Sequence, residues 1–113
     1  MSTTKSKETL TRLAWLAALR QRGHRQCRGV GRDGSAHCAL GLLWYTAGYP
    51  QLDDLSTVAA LAGLADQQAK DVMSLNDGRA YMGSTYYRAE GAPVRQHTFA
   101  EIADVVASWF PND

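Results

Sequence analysis

Cys38 follows His37 and opens an apolar run, and that pair is the first place where this chain could do chemistry. A cysteine at the start of a helix has its pKa lowered by the helix dipole, and nearby arginines lower it further. A thiolate–imidazole pair needs a base, which His37 or His97 would supply, and an orienting group, for which Asn76 or Asp77 is available. On that reading the chain is a cysteine-dependent hydrolase or transferase with Cys38 as nucleophile. Two features weigh against it. His37 is adjacent in sequence and projects away from Cys38 in a regular helix. Cysteine is also among the most buried residue types, so Cys38 reads more simply as a small residue opening a core helix.

A second constellation is basic. Arg20, Arg22, Arg25, Arg28 and Arg32 surround Gly29 and Gly31. Glycines let backbone approach an anion, and arginine grips phosphate or carboxylate bidentately. With Asp33 and the Asn76-Asp77 pair, Arg28 and Arg32 form the candidate ligand-binding set. The stretch is neither a P-loop nor a dinucleotide fingerprint, and no motif for sequence-specific nucleic-acid binding is present.

His24, Cys27, His37 and Cys38 are four potential zinc ligands of the right softness, but their spacing is not that of a zinc knuckle, so no metal is expected. The acidic residues Asp53, Asp54, Asp71 and Asp77 lack the alternation and closing glutamate of a calcium loop. Tyr81, Tyr86 and Tyr87 form either a contact surface or a cover over the core. No cofactor is expected.

These residues must be positioned by a small scaffold. The chain has 113 residues and 45% hydrophobic content, which suits one domain spanning 1–113, with a frayed tail over 1–6. No apolar run reaches the length of a membrane helix, and the first residues lack the pattern of an export signal, so a cytoplasmic protein with thiols rather than disulfides is expected. The net charge of +1 conceals a division. Residues 1–32 hold eight basic residues against only Glu8, and the remainder is correspondingly acidic. Internal pairing of the two parts is the simpler reading, and an anion-binding face the sharper one.

The patterning predicts a mainly α domain: four to five short helices around a central apolar helix, with a small β-hairpin. A first helix is expected over about Glu8–Gln21, with Leu10, Leu13, Ala14, Ala17 and Ala18 on its apolar face and Trp15, Leu16 and Leu19 widening it. Residues 24–37 read as an extended segment and a tight turn at Arg32-Asp33-Gly34, with Asp33 or Ser35 capping the next helix. That segment, over 38–47, is apolar on every side and as a helix must be central; a buried strand is the competing reading, and the lack of Val and Ile favours the helix. Further helices are expected over Thr57–Gly63 and, capped by Asp66, over Gln67–Leu75. Asn76-Asp77-Gly78 signals a turn. The aromatic stretch 79–97 suggests the hairpin. Thr98-Phe-Ala-Glu101 is a capping box opening a last helix with the stripe Phe99, Ile102, Ala103, Val106 and Phe110.

Several of these short runs together resemble a family of small phage and prophage proteins. The matching residues are Arg32-Asp33-Gly34, Cys38-Ala39-Leu40-Gly41, Leu75-Asn76-Asp77 and Phe99-Ala100-Glu101-Ile102-Ala103-Asp104. Where that family carries Cys-Cys, this chain has His37-Cys38, which disfavours any function needing two adjacent thiols. The resemblance implies no particular reaction. It implies an accessory protein that binds a host or defence protein in the host cytoplasm, and composition adds an anionic small ligand as the other partner class. Stoichiometric binding, rather than catalysis, is therefore the leading expectation.

Overall fold

The computed structural model describes residues 5–28, 32, 33, 36–49, 54–86 and 95–113. Their elements run α1 (Lys7–Arg20), β1 (Arg25–Gln26), β2 (Arg32–Asp33), β3 (Ala36–His37), α2 (Ala39–Thr46), α3 (Leu55–Leu61), α4 (Asp66–Asp77) and α5 (Phe99–Ser108). The mainly α domain with a small sheet is as the patterning predicts.

Helix α1 begins at Ser6, whose hydroxyl accepts from the Thr9 N–H. Its buried face keeps the expected Trp15, Leu16, Ala18 and Leu19 but adds Arg12 and loses Leu10, Ala14 and Ala17 to the surface. Arg12, Trp15, Leu16, Ala18 and Leu19 are buried, whereas Leu10 is 53% exposed. The stripe at i, i+3, i+4, i+7 therefore starts at Arg12 rather than Leu10. Trp15 dictates this rotation, since it has the most apolar surface to hide and its indole N–H needs a partner. It donates to the Ala39 carbonyl at 2.8 Å.

Arg12 takes a core-facing position because its guanidinium is satisfied there. Nε and one terminal nitrogen grip the Asp113 carboxylate at 2.8 Å each, and the other donates to the Ala62 carbonyl at 2.7 Å. The cation also lies 3.6 Å from the Phe110 ring centroid. This fork ties α1 to the end of α3 and to the residues after α5.

Helix α2 is the central element, with Ala39 through Trp44 all buried. Its side chains pack with Trp15, Leu16 and Leu19 of α1, Val58 and Ala59 of α3, Val72 and Leu75 of α4, and Ile102 and Val106 of α5 in one core. Cys38 caps this helix itself: its Sγ accepts from the Gly41 N–H at 3.2 Å, a role expected of Asp33 or Ser35. The sharp entry from β3 leaves the first turn of α2 facing inward, where a small thiol fits.

The sheet is ordered β1-β3-β2, with β1 parallel and β2 antiparallel to the central β3. Arg32 pairs with His37 and Asp33 with Ala36, so the antiparallel pair is formed by 32–33 and 36–37. The described parts of the stretch expected to form it, 79–86 and 95–97, contain no strand. The Tyr81-to-Tyr86 part is instead organised around the buried Asp71 carboxylate, which accepts from the Ser84 hydroxyl and the Thr85 N–H at 2.7 Å each. Tyr87 lies outside the described residues, as do Asp53 and Ser35.

Helix α4 starts one residue before its expected N1 and runs two residues beyond its expected end. Its N-cap is Ala65, and Gln68 accepts the Ala65 N–H at 2.9 Å, so Asp66 is the first helical residue and not the cap. Asn76 and Asp77 form its last turn and Gly78 ends it in the left-handed conformation, φ 72°. A Cβ at Gly78 would stand 2.8 Å from the Gln96 nitrogen, so glycine is required twice over. In α5 the capping box is present as expected: Glu101 N–H donates to Thr98 Oγ1 at 3.2 Å, and Thr98 N–H to Glu101 Oε1 at 3.0 Å.

Candidate functional site

The residues singled out by the sequence converge where β1 and β3 meet the start of α2 and the end of α4. Asn76 is at the centre and has no exposed surface. Its Oδ1 accepts from the Ala39 N–H and from Gln26 Nε2, each at 3.0 Å. Its Nδ2 donates to the Cys27 carbonyl and to Asp77 Oδ1, each at 2.8 Å.

Two of those bonds have a specific meaning. Cys27 N–H donates to the His37 carbonyl at 2.9 Å, continuing the parallel β1–β3 ladder by one step. The next rung would join Ala39 N–H to the Cys27 carbonyl. At Ala39 the chain has already turned into α2, and the Asn76 carboxamide takes the place of that rung. An amide with one donor edge and one acceptor edge is the side chain that can do this. Asn76 therefore closes the ladder and satisfies the first N–H of α2 together.

Asp77 is buried beside it. Its carboxylate accepts from Asn76 Nδ2 and from the Tyr81 hydroxyl. A carboxylate at a helix C-terminus is disfavoured by the dipole, and these donors offset that. Burial, followed by the Asp77 hydrogen bond, pushes the Tyr81 phenol up to about 12. The Arg79 guanidinium lies over the Tyr81 ring, 4.6 Å from its centroid. Held as a protonated donor, Tyr81 is a clamp and not a base.

The candidate nucleophile is placed in this junction but is not prepared for catalysis. Cys38 is 2% exposed. Burial pushes its thiol up to about 11, against the lowering effect of the Gly41 N–H, and the nearby Cys27 and Asp77 raise it further. The dipole effect expected at a helix start is thus outweighed by desolvation. The two imidazoles face elsewhere. The His37 ring lies against Tyr45, 4.8 Å between centroids, with its edge toward Trp44. His97 Nδ1 is 2.9 Å from the Arg95 carbonyl.

The candidate binding residues divide in two. Asn76 and Asp77 are buried, with the bonds given above. Arg28 is exposed and donates to Gln96 Oε1 at 2.8 Å, while Gln96 Nε2 donates to the Asn76 carbonyl at 3.0 Å. Arg28 is therefore moored to the junction at second hand. Arg32 and Asp33 pair with His37 and Ala36 through the backbone of β2. Arg22 and Arg25 are exposed near Arg28 in sequence. Among the described residues, no three of His, Cys, Asp and Glu converge as metal ligands. His24 is 3.3 Å from Gln21 Oε1, well apart in role from Cys27 and Cys38.

Sequence reasoning missed Gln26 and Gln96, which connect the sheet and the loop before α5 to Asn76. Glutamines carry no periodicity or motif, so no signal marked them. Two clefts lie at the other end of α1 and α2. One, of about 410 Å³, is lined by residues including Lys7, Thr11, Tyr49 and Leu61, and the other, of about 220 Å³, by Leu10, Thr11, Ala14, Thr46 and Ala47.

No family model, no curated protein and no solved structure matches this chain.

Proposed function

We propose that this protein acts by stoichiometric binding of an acidic surface on a partner protein, through the exposed arginines Arg22, Arg25 and Arg28. One observation carries this reading. The polar groups of the junction are spent on holding β1 and β3 against α2 and α4, while the exposed Arg28 is moored to that junction through Gln96 and the exposed Arg22 and Arg25 precede it in the chain. Three other arginines are ion-paired: Arg12 with Asp113 in a buried place, and Arg20 with Asp104 and Arg95 with Glu101 on the surface. An edge of guanidinium groups on a rigid mount is suited to carboxylate recognition and to electrostatic steering of a partner. The resemblance to phage accessory proteins supports a host or defence protein as the partner class. A cysteine-dependent hydrolase or transferase would need a reachable thiolate, and the burial of Cys38 argues against that.

The test is retention on immobilised poly-glutamate at low salt. The wild type is expected to bind and to elute as salt rises, and the double variant R25E/R28E to pass through. A control variant, R95E, should behave as wild type. Equal elution of wild type and R25E/R28E would overturn the proposal. Competition by inorganic phosphate at stoichiometric concentration would reassign the edge to a small anion.

A further inference from the structure

We propose that Cys27 and Cys38 form an oxidisable dithiol, which a low-molecular-weight disulfide converts into an intramolecular disulfide. Both are thiols in the structure. The argument is one of register. Arg25 pairs with Ala36 and Gln26 with His37 in parallel β1 and β3. The Cys27 N–H bond to the His37 carbonyl, 2.9 Å, closes the Gln26–His37 pair, and Cys38 is still extended, φ −77° and ψ 170°, so Cys27 and Cys38 are the next residues along the two adjacent strands. Residues that follow a pair in register on adjacent parallel strands start from a Cα separation of about 4.8 Å with their side chains on one face. That separation lies inside the roughly 4.4–6.8 Å that disulfides span. Cys38 is in the hydrophobic core and Cys27 packs against it. The electrostatic influence of Cys27 on the Cys38 thiol agrees with their proximity.

Their exposures assign the order of events. Cys38 is 2% exposed, so an oxidant meets the half-buried Cys27 first. With oxidised glutathione, the Cys27 thiolate attacks one sulfur of the oxidant. A Cys27–glutathione bond forms and the first glutathione thiol leaves. The Cys38 sulfur then attacks the Cys27 sulfur, its proton passing to the departing glutathione sulfur. The Cys27–Cys38 bond forms and the second glutathione leaves. Two protein thiols are oxidised by two electrons, and one glutathione disulfide is reduced to two thiols. Cys38 plays the resolving role, which does not require it to be reached from outside.

The experiment equilibrates the purified protein in glutathione buffers of graded redox ratio, quenches with acid, alkylates, and reads intact mass. The wild type is expected to yield a species lighter by two hydrogens, with neither alkyl label nor glutathione, and reducible by dithiothreitol. Cys38→Ser, which keeps an acceptor for the Gly41 N–H, is expected to accumulate one glutathione on Cys27. Cys27→Ser is expected to stay unmodified. The same series in guanidinium should show the bridge roughly tenfold or more less favoured. A wild type that accumulates mixed disulfide as Cys38→Ser does, that stays fully alkylatable, or that forms the bridge no more readily than the denatured chain would overturn the proposal. Circular dichroism checks that the variants fold. Should Cys38→Ser fail to fold, the comparison of native and denatured wild type decides alone.

Discussion

Replacing Asn76 tests the junction most directly. In Asn76→Ala, the Ala39 N–H and the Cys27 carbonyl both lose their partner in a buried place. A stranded buried backbone group costs about 1–3 kcal/mol, so the two together predict a loss of about 3 kcal/mol or somewhat more. Against a total stability on the order of 5–15 kcal/mol this is a large fraction, equivalent to a fall in Tm on the order of 10 °C. Asn76→Asp separates hydrogen bonding from shape. The carboxylate keeps the acceptor toward Ala39 and Gln26. It then sets a second negative oxygen against the Cys27 carbonyl and the Asp77 carboxylate, where a donor stood. It should therefore be less stable than Asn76→Ala at neutral pH. The introduced carboxyl would have its pKa raised in the folded state by burial and by Asp77. Its protonated form restores a donor, so stability is greatest below the unfolded value of about 3.9 and falls as pH rises through the folded pKa. Urea unfolding followed by tryptophan fluorescence is the assay, since Trp15 donates to Ala39 at this junction. A variant within about 0.5 kcal/mol of wild type at neutral pH, with a flat pH profile, would refute the bridging role assigned to Asn76, since surface changes alone stay in that range.

Arg12→Ala should destabilise by about 2–3 kcal/mol, because it leaves Asp113 and the Ala62 carbonyl without their donors. Arg12→Lys should recover little, since the two-pronged grip needs the guanidinium fork; thermal melts decide both. Gly78→Ala should cost more than Gly23→Ala in the same assay. Both adopt positive φ, but only at Gly78 would the new Cβ meet backbone, the Gln96 nitrogen at 2.8 Å. The α5 capping box should survive mild acid. Hydrogen bonding to Arg95 and to the Thr98 backbone holds Glu101 at about 2, below its ordinary 4.5. Its contribution is thus present above pH 4.5 and is lost as pH falls toward 2, so wild type should lose stability over that window relative to Glu101→Gln, read by circular dichroism.

The parts of the fold written in local code were legible. The Thr98–Glu101 box and the Phe99, Ile102, Val106 stripe specify α5 without outside help. The apolar run after Cys38 placed the central helix to within a residue at either end. Misreadings arose where a tertiary bond overrides the local preference. Asn76-Asp77-Gly78 has turn chemistry, because asparagine and aspartate side chains compete for their own backbone. In α4 both side chains are engaged elsewhere, Asn76 with Cys27 and Ala39 and Asp77 with Tyr81. The competition is removed, the helix continues through them, and only Gly78 keeps its turn role.

The same reasoning explains Arg12 and the site. A charged residue on a helix stripe reads as solvent-facing, and only a partner 101 residues away in sequence, Asp113, makes burial favourable. Cys38 illustrates the converse. Its position at a helix start argues for a lowered pKa, yet the same packing that makes α2 central removes the water a thiolate needs. Sequence fixes which groups stand near one another only through the sheet register, and that register depends on Asn76, fifty residues from Gln26 and on another helix. With the polar centre acting as a backbone mimic, the binding function proposed above falls to the groups around it. Arg28 is one of these, held by Gln96, whose other bond is to the Asn76 carbonyl. Loosening the junction should therefore weaken binding at the arginine edge without altering any arginine.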